Sequence, residues 1–183
     1  MTEQDNILNS SQPSLPKYRR NILLVGTPGT GKTSLAKRLT AVTPLTHIEV
    51  GKFAEEHNCL GSYDEQLECF EIEEEKLIPI LANFLKPGGY IVEYHGCEWL
   101  TSCKIDLVLV LQTETAPLYD RLKARGYSGR KLEENMECEI MQVILDEAYG
   151  CFDKQKIWVV PSNNEQDLED TVERVKKFLE SSN

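Results

Sequence analysis

The octapeptide GTPGTGKT at residues 26–33 constrains the fold more than any other part of this chain. It follows the apolar run NILLV at 21–25, and the segment after it carries Leu35 and Leu39 at helical spacing. A short, fully apolar run that ends at glycine is typical of a buried parallel strand. The octapeptide fits G-x-x-x-x-G-K-[ST] in the strand–loop–helix setting that this pattern requires. We therefore predict a loop that binds the phosphates of a nucleoside triphosphate.

Each fixed position of this pattern has a physical role in binding phosphate. Gly26, Gly29 and Gly31 allow the backbone to turn its N–H groups toward an anion. The N-terminus of the following helix adds partial positive charge. Lys32 is expected to reach the β- and γ-phosphates of ATP, and the Thr33 hydroxyl to lie where it can bind Mg²⁺.

The rest of the chain alternates predicted strands and helices. Further strands are predicted in THIEV, PGGYIVEY, IDLVLVL and KIWVV, and helices at 71–85 with an interruption at Pro79, from Thr115 to Gly126, at 131–150 and at 164–181. Five strands separated by helices predict a parallel, doubly wound α/β sheet. A length of 183 residues suits one such domain, at 21–183. Residues 1–20 lack the order of a signal peptide and are expected to be a flexible arm.

Composition excludes several classes of protein. The 30 acidic and 20 basic residues give a formal charge of −10, which disfavours a protein that binds nucleic acid through its phosphates. It suits a soluble enzyme or a protein with a basic partner. No apolar run reaches membrane-spanning length. The six cysteines form no Cys-x-x-Cys pair and there are three histidines, so we expect reduced thiols and no structural metal.

Two further segments contain candidate catalytic residues. Arg125 precedes Gly126 at the end of a predicted helix, where it either neutralises a transferring phosphoryl group or serves as a helix-end cation. Arg121, one turn earlier, is a weaker candidate for the same role, and Lys131 is either a second lid cation or a solvated lysine.

The segment IVEYHG places Glu93 and His95 where a parallel strand ends, at the sheet edge where such folds bind ligands. We hypothesise that Glu93 is the carboxylate on the Mg²⁺ side, directly or through water. His95 would position or deprotonate an attacking water. The alternative for His95 is a structural hydrogen bond near a strand end. His47 and His57 are assigned no role.

A phosphate-binding loop by itself is compatible with GTPases, ATPase modules and small-molecule kinases. The chain has no Asn-Lys-x-Asp segment of the kind that reads guanine, and it is short for an oligomeric ATPase module. Its small size and the arginine-bearing helix favour a nucleotide-kinase-like architecture.

Four segments together resemble adenylate kinase isoenzyme 6, the family of coilin-interacting nuclear ATPases and small-subunit ribosome-assembly ATPases. They are NILLVGTPGTGKT, EYHGC, LYDRLKARGYSGRKLEENMECEI and VVPSN. The resemblance covers residues 21–181 and is most specific across 125–140. It implies phosphate contacts from Gly29, Gly31, Lys32, Thr33 and Ser34. It also implies a monophosphate-binding region at 49–72, a short lid at 124–134 with Arg125 on the triphosphate side, and adenine beside 161–163.

The resemblance also implies what the protein does. The family has adenylate kinase activity (ATP + AMP = 2 ADP) and ATPase activity, and it binds a basic small-subunit ribosomal protein during maturation of the subunit's RNA, in nucleus and cytoplasm. Two positions depart from the family pattern, because Glu93 and Lys52 each replace an aspartate. The monophosphate preference and the reach of Glu93 to Mg²⁺ are therefore open. Three alternatives remain: a nucleoside-monophosphate kinase, a ribosome-assembly ATPase with secondary phosphotransfer, and a nucleotide-binding scaffold.

The acidic stretch from Glu49 to Glu75 has three interpretations. A solvated helix face is the simplest. Tyr63, Asp64 or Glu65 could instead hold the base or ribose of a monophosphate, or the stretch could dock a lysine-rich protein.

Overall fold

A computed structural model describes residues 19–65 and 69–181 of the chain, and it places seven strands there. The predicted N-terminal arm lies outside the described residues except for Arg19 and Arg20. The strands are β1 (Ile22–Val25), β2 (Thr46–Glu49), β3 (Leu60–Asp64), β4 (Cys69–Ile72), β5 (Tyr90–Glu93), β6 (Leu107–Gln112) and β7 (Ile157–Pro161).

Five of these strands form one parallel sheet in the order β2-β5-β1-β6-β7. The central strand is β1, in which Ile22 pairs with Ile91 of β5 on one side and with Leu107 of β6 on the other. The carboxyl ends of β1 and β5 therefore lie side by side, with Leu24 level with Glu93. The predicted five-stranded parallel sheet is confirmed.

Helices cover both faces of this sheet. They are α1 (Lys32–Val42), α2 (Val50–Glu56), α3 (Glu74–Leu85), α4 (Thr115–Ala124), α5 (Gly129–Ile140), α6 (Val143–Cys151) and α7 (Glu165–Glu180). Alternate residues of β1 enter different cores: Ile22 and Leu24 pack with α1 and α7, whereas Leu23 and Val25 pack with α2, α3 and α6. All four side chains are fully buried, which explains why this strand is a continuous apolar run. None of the helices in the described part combines the length and apolarity that crossing a membrane requires.

Two helix predictions differ from the structure. The helix predicted at 131–150 is two helices, because Gln142 adopts a left-handed conformation (φ 56°) that ends α5 and redirects the chain into α6. The helix predicted at 71–85 begins at Glu74, since Ile72 belongs to β4, and Pro79 lies inside α3 rather than interrupting it.

The acidic stretch is not one solvated helix face. It contains the helix α2 and then an antiparallel pair, β3 and β4, which we call the hairpin. Its strands carry the exposed aromatic rings of Tyr63 and Phe70, which meet edge to face with centroids 5.0 Å apart. Residues 66–68, between β3 and β4 in the sequence, lie outside the described residues.

Candidate active site

The phosphate loop, residues 26–33, connects the carboxyl end of β1 to α1. Gly31 caps α1 with φ 92°, and a Cβ at this position would lie 2.9 Å from Ser162 Oγ. Gly29 has φ 93°, and its Cβ would lie 2.9 Å from Leu118 Cδ1. Both positions therefore require glycine for conformation and for space. The loop is closed by Thr30 Oγ1, which donates to the Thr27 carbonyl at 2.8 Å.

Lys32 is buried at the start of α1, and its ammonium group faces the loop. Nζ donates to the carbonyl oxygens of Gly26 (2.6 Å) and Thr27 (3.1 Å). Burial lowers the pKa of Lys32 to about 8, and the Arg125 charge acts in the same direction, while Glu93 opposes it. Phosphate oxygens bound at the loop would place negative charge beside this buried ammonium and so favour its charged form.

Glu93 ends β5 beside the loop, and both of its carboxylate oxygens have partners. Oε1 accepts from Thr33 Oγ1 at 2.6 Å, and Oε2 lies 2.8 Å from His47 Nε2 on the neighbouring strand β2. Burial alone would raise the pKa of Glu93, but the hydrogen bonds from His47 and Thr33 and the charges of His47 and Lys32 outweigh it, so the pKa is lowered. Glu93 is therefore an ionised carboxylate.

The Thr33 hydroxyl and the Glu93 carboxylate form a pair of hard oxygen ligands of the type that Mg²⁺ prefers. Among residues 19–65 and 69–181, no group of three or more His, Cys, Asp or Glu side chains is arranged to hold a metal ion. A hydroxyl and one carboxylate suit an ion that takes its other ligands from phosphate and water, as Mg²⁺ does in kinases.

His95 follows β5 beside the phosphate loop, where its carbonyl oxygen accepts from the backbone N–H of Gly26 at 3.4 Å. The residue is partly exposed, and its ring packs on Tyr94 at a centroid distance of 4.1 Å. Partial desolvation, and then the Lys32 charge, lower the pKa of His95, whereas Glu147 raises it. The imidazole is therefore more readily neutral, the form that a general base needs. Glu147 also accepts the backbone N–H groups of Cys97 (2.5 Å) and Glu98 (2.8 Å), which anchors the segment after His95.

The two arginines of α4 have different surroundings. Arg125 is the C-cap residue that follows α4; it is exposed and lines the central cleft. Arg121 instead donates to the carbonyl oxygens of Ser162 (2.7 Å), Asn163 (2.8 Å) and, at 3.5 Å, Gly29. Arg121 therefore joins the phosphate loop to the loop after β7.

A central cleft of about 1090 Å³ brings these groups together. Its floor is the phosphate loop with Glu93 and His95. One wall comes from the hairpin and includes Asp64 and Phe70, and the other comes from the predicted lid and includes Arg125 and Lys131. Of the sequence-predicted residues, Gly29, Gly31, Lys32, Thr33, Glu93, His95 and Arg125 line the cleft. Ser34 is exposed on α1 and is not part of this lining.

Three carboxylate or imidazole groups near the site were not predicted. They are His47, which binds Glu93, and Glu139 and Glu147, which reach the site from α5 and α6. Glu139 lies inside the distinctive motif across 125–140, which is the signal that would have identified it. Lys52, the other departure from the family pattern, pairs with Glu49 at 2.5 Å.

Comparison with known proteins places the chain among nucleotide-handling enzymes. A sequence family described as an AAA domain matches residues 22–142, more than half of the chain. The adenylate kinase isoenzyme 6 homologue of Dictyostelium discoideum is 34% identical over 168 residues, covering 92% of this chain and 96% of its own. The homologue of Caenorhabditis elegans is 38% identical over 164 residues, covering 87% and 90%.

Solved structures share the fold at low sequence identity. A shikimate kinase from Bacteroides thetaiotaomicron superimposes with a TM-score of 0.60 at 17% identity, over 88% of this chain and 98% of its own. A gluconokinase from Sinorhizobium meliloti gives 0.57 at 12% identity, over 91% and 99%. The sheet and its helices therefore share the fold of these kinases.

Proposed function

The chain belongs to the adenylate kinase isoenzyme 6 family, and on that premise we propose that it transfers the γ-phosphoryl group of ATP to AMP and also hydrolyses ATP. The observation that supports this most directly is the central cleft, which joins the phosphate loop to two opposite walls. Its volume of about 1090 Å³ lies just above the range of about 300–1,000 Å³ for single-ligand pockets. It can therefore hold a triphosphate on the loop and a second nucleotide against the hairpin.

In the phosphotransfer reaction, an AMP phosphate oxygen attacks the γ-phosphorus of ATP, the bond to the β,γ-bridging oxygen breaks, and two ADP molecules leave. Lys32 and the N–H groups of the phosphate loop bind the β- and γ-phosphates, and Arg125 neutralises charge on the transferring group. Thr33 and Glu93 would hold Mg²⁺, directly or through water, and when bound that ion neutralises phosphate charge. In hydrolysis, water replaces AMP as the attacking group, and His95 positions it and accepts its proton.

The proposed regions follow the cleft. Residues 49–72 are the monophosphate-binding region and residues 124–134 are the lid. The lid is short, since only Arg125 to Ser128 separate α4 from α5. A small lid excludes water less completely, which favours hydrolysis beside phosphotransfer.

The reaction is tested by incubating the purified protein with Mg²⁺ and ATP, with and without AMP. We expect ADP and inorganic phosphate without AMP, from hydrolysis. With AMP we expect faster ADP formation, with two ADP for each AMP consumed in addition to the one ADP for each phosphate released by hydrolysis. Lys32→Ala should abolish both reactions. Full turnover in that variant, or absence of any ADP in the wild type, would contradict the proposal.

A second candidate is a ribosome-assembly ATPase whose phosphotransfer is secondary, acting in the nucleus and cytoplasm. The observation that favours it is the formal charge of −10, which suits a basic small-subunit ribosomal protein as partner, with contact to pre-ribosomal RNA through that partner. Adding such a lysine-rich ribosomal protein should raise ATP hydrolysis severalfold without raising ADP formation from AMP. An unchanged rate at saturating partner would exclude this candidate.

A further inference from the structure

A carboxylate at the end of α5 connects the lid to the phosphate loop. Glu139 Oε2 accepts from the Thr27 hydroxyl at 2.6 Å, and Oε1 accepts from the backbone N–H of Thr113, just after β6, at 2.7 Å. Thr27 and Thr113 are buried and Glu139 is half-buried, so water screens these hydrogen bonds only partly. A single side chain thus holds two separate strand ends.

The Thr27 end of this bridge belongs to the phosphate-binding backbone. The Thr27 carbonyl accepts from Lys32 Nζ and from Thr30 Oγ1, so the residue that Glu139 holds is also bound by the phosphate-binding lysine. Any displacement of Thr27 therefore moves the carbonyl that positions Lys32.

The other end of α5 belongs to the lid. The helix begins at Gly129, immediately after the turn that follows Arg125, and its first two turns place Arg130 and Lys131 in the cleft wall. A 12-residue helix is about 18 Å long and rigid. Fixing its base at Glu139 therefore fixes the direction in which it presents the lid.

We propose that Glu139 is a positioning residue that holds the lid helix in register with the phosphate loop through its bridge to Thr27 and Thr113. It acts through these groups and not on the reacting atoms. The expected change in nucleotide turnover rests on the proposed function, but the hydrogen bonds of Glu139 to Thr27 and Thr113 can be tested without any nucleotide.

The main test compares Glu139→Gln with Glu139→Ala, using Glu137→Ala as the matched control on the same helix. A glutamine amide keeps both contacts, because its oxygen accepts from Thr113 N–H and its NH₂ donates to the Thr27 hydroxyl. Glu137 is exposed, so Glu137→Ala removes the same charge and carboxyl without removing the bridge. We expect Glu139→Ala to lower kcat by about 10- to 100-fold, as expected for a small misplacement of the site, with KM for ATP changed less than about threefold. Glu139→Gln should stay within about threefold of the wild type, and Glu137→Ala should match it.

Limited trypsin digestion supplies a readout that needs no catalysis. Without nucleotide, cleavage after Arg125, Arg130 and Lys131 should be at least about fivefold faster in Glu139→Ala than in the wild type or Glu139→Gln. Thr27→Val removes one of the two contacts of Glu139 and should also speed cleavage. The double variant Thr27→Val/Glu139→Ala should be no faster than Glu139→Ala, because Glu139→Ala already lacks both contacts.

The outcomes separate this inference from the proposed function. Equal lid cleavage in Glu139→Ala and Glu137→Ala, or effects of Thr27→Val and Glu139→Ala that multiply, would overturn the positioning role. If Glu139→Ala does not fold, a tenfold loss of kcat in Glu139→Gln with an unchanged cleavage rate would also overturn it, because charge and not the bridge would then matter. If the wild type turns over no nucleotide but Glu139→Ala is still cleaved faster than the wild type and Glu137→Ala, the proposed function is refuted and the positioning role of Glu139 stands.

Discussion

Replacing His47 by alanine should destabilise the protein even though no nucleotide is present. His47 is the partner of Glu93 Oε2 at 2.8 Å, and the two side chains are only 23% and 8% exposed. A hydrogen bond to a charged group contributes about 1.5–3 kcal/mol when it is shielded in this way. For a domain of 150–250 residues each kcal/mol corresponds to about 2–4 °C, so His47→Ala should lower Tm by about 3–12 °C.

The pH dependence of this effect follows from the lowered pKa of Glu93. A carboxylate whose pKa is lower in the folded than in the unfolded state contributes stability above its ordinary pKa, and that stability is lost as the pH falls through the folded value. Removing His47 removes the largest of the influences that lower this pKa. The difference in free energy of unfolding between wild type and His47→Ala should therefore be largest near pH 7. It should become smaller under acid conditions in which Glu93 is protonated in both proteins.

Urea denaturation of four proteins measures the interaction directly: wild type, His47→Ala, Glu93→Gln and the double variant. Because the charge-assisted bond is about 1 kcal/mol stronger than a neutral one, we expect a coupling energy of about 1 kcal/mol or more. The same cycle with His57, which contacts the Phe53 carbonyl instead of Glu93, should give additive effects. A His47–Glu93 coupling below about 0.5 kcal/mol at pH 7 would refute the reasoning.

Three further changes test other parts of the site. Lys32→Met should end nucleotide turnover but raise the free energy of unfolding by up to about 3 kcal/mol below pH 8, because burial of the ammonium lowers its pKa to about 8 and makes its charged form costly. This gain in stability should decline between pH 8 and pH 10.5, where the lysine of the folded wild type is neutral. Urea denaturation at pH 7 and pH 10 measures the difference, and destabilisation of the variant at pH 7 would contradict it. Arg125→Ala should lower kcat about 10³-fold with Tm unchanged, because it removes the charge that neutralises the transferring phosphoryl group. Lys123→Ala, at an exposed position of α4, should leave kcat and Tm unchanged. Equal losses of kcat in the two variants would argue against a contact of Arg125 with the phosphoryl group. Glu147→Ala should release the segment after His95, which lowers the free energy of unfolding by about 1–3 kcal/mol and slows ATP hydrolysis about tenfold. Glu147→Gln should restore both, because its amide oxygen can accept the same backbone N–H groups. Hydrolysis at the wild-type rate in Glu147→Ala would contradict this.

The central sheet was predictable because its strands are buried on both faces. Runs such as LVLVLQ in β6 are apolar at nearly every position, which leaves few alternatives to a buried strand. The hairpin was missed for the opposite reason. The sequences of β3 and β4, LGSYD and CFEI, are mostly exposed and have no apolar alternation, so they look like part of an acidic loop.

The break between α5 and α6 was missed because the chain signals it weakly. A left-handed conformation is usually marked by glycine, but Gln142 adopts it here while apolar residues continue at helical spacing on both sides. Similarly, the phosphate loop and the strand-end residues Glu93 and His95 follow from local motifs. The partnership of Glu93 with His47 does not, because it depends on β2 lying beside β5 in the sheet, and nothing local specifies that order.

The position of β1 at the centre of the sheet has a consequence for how the protein is made. The phosphate loop follows β1 directly, but within the described part of the chain β1 pairs with β5 and β6, which are synthesised later than the loop. Glu93, Arg125 and Glu139 follow in the same order along the chain. A nascent chain therefore carries the nucleotide-binding motif long before it has a nucleotide site, and the site forms only once α5 has emerged and the distant parallel strands have docked.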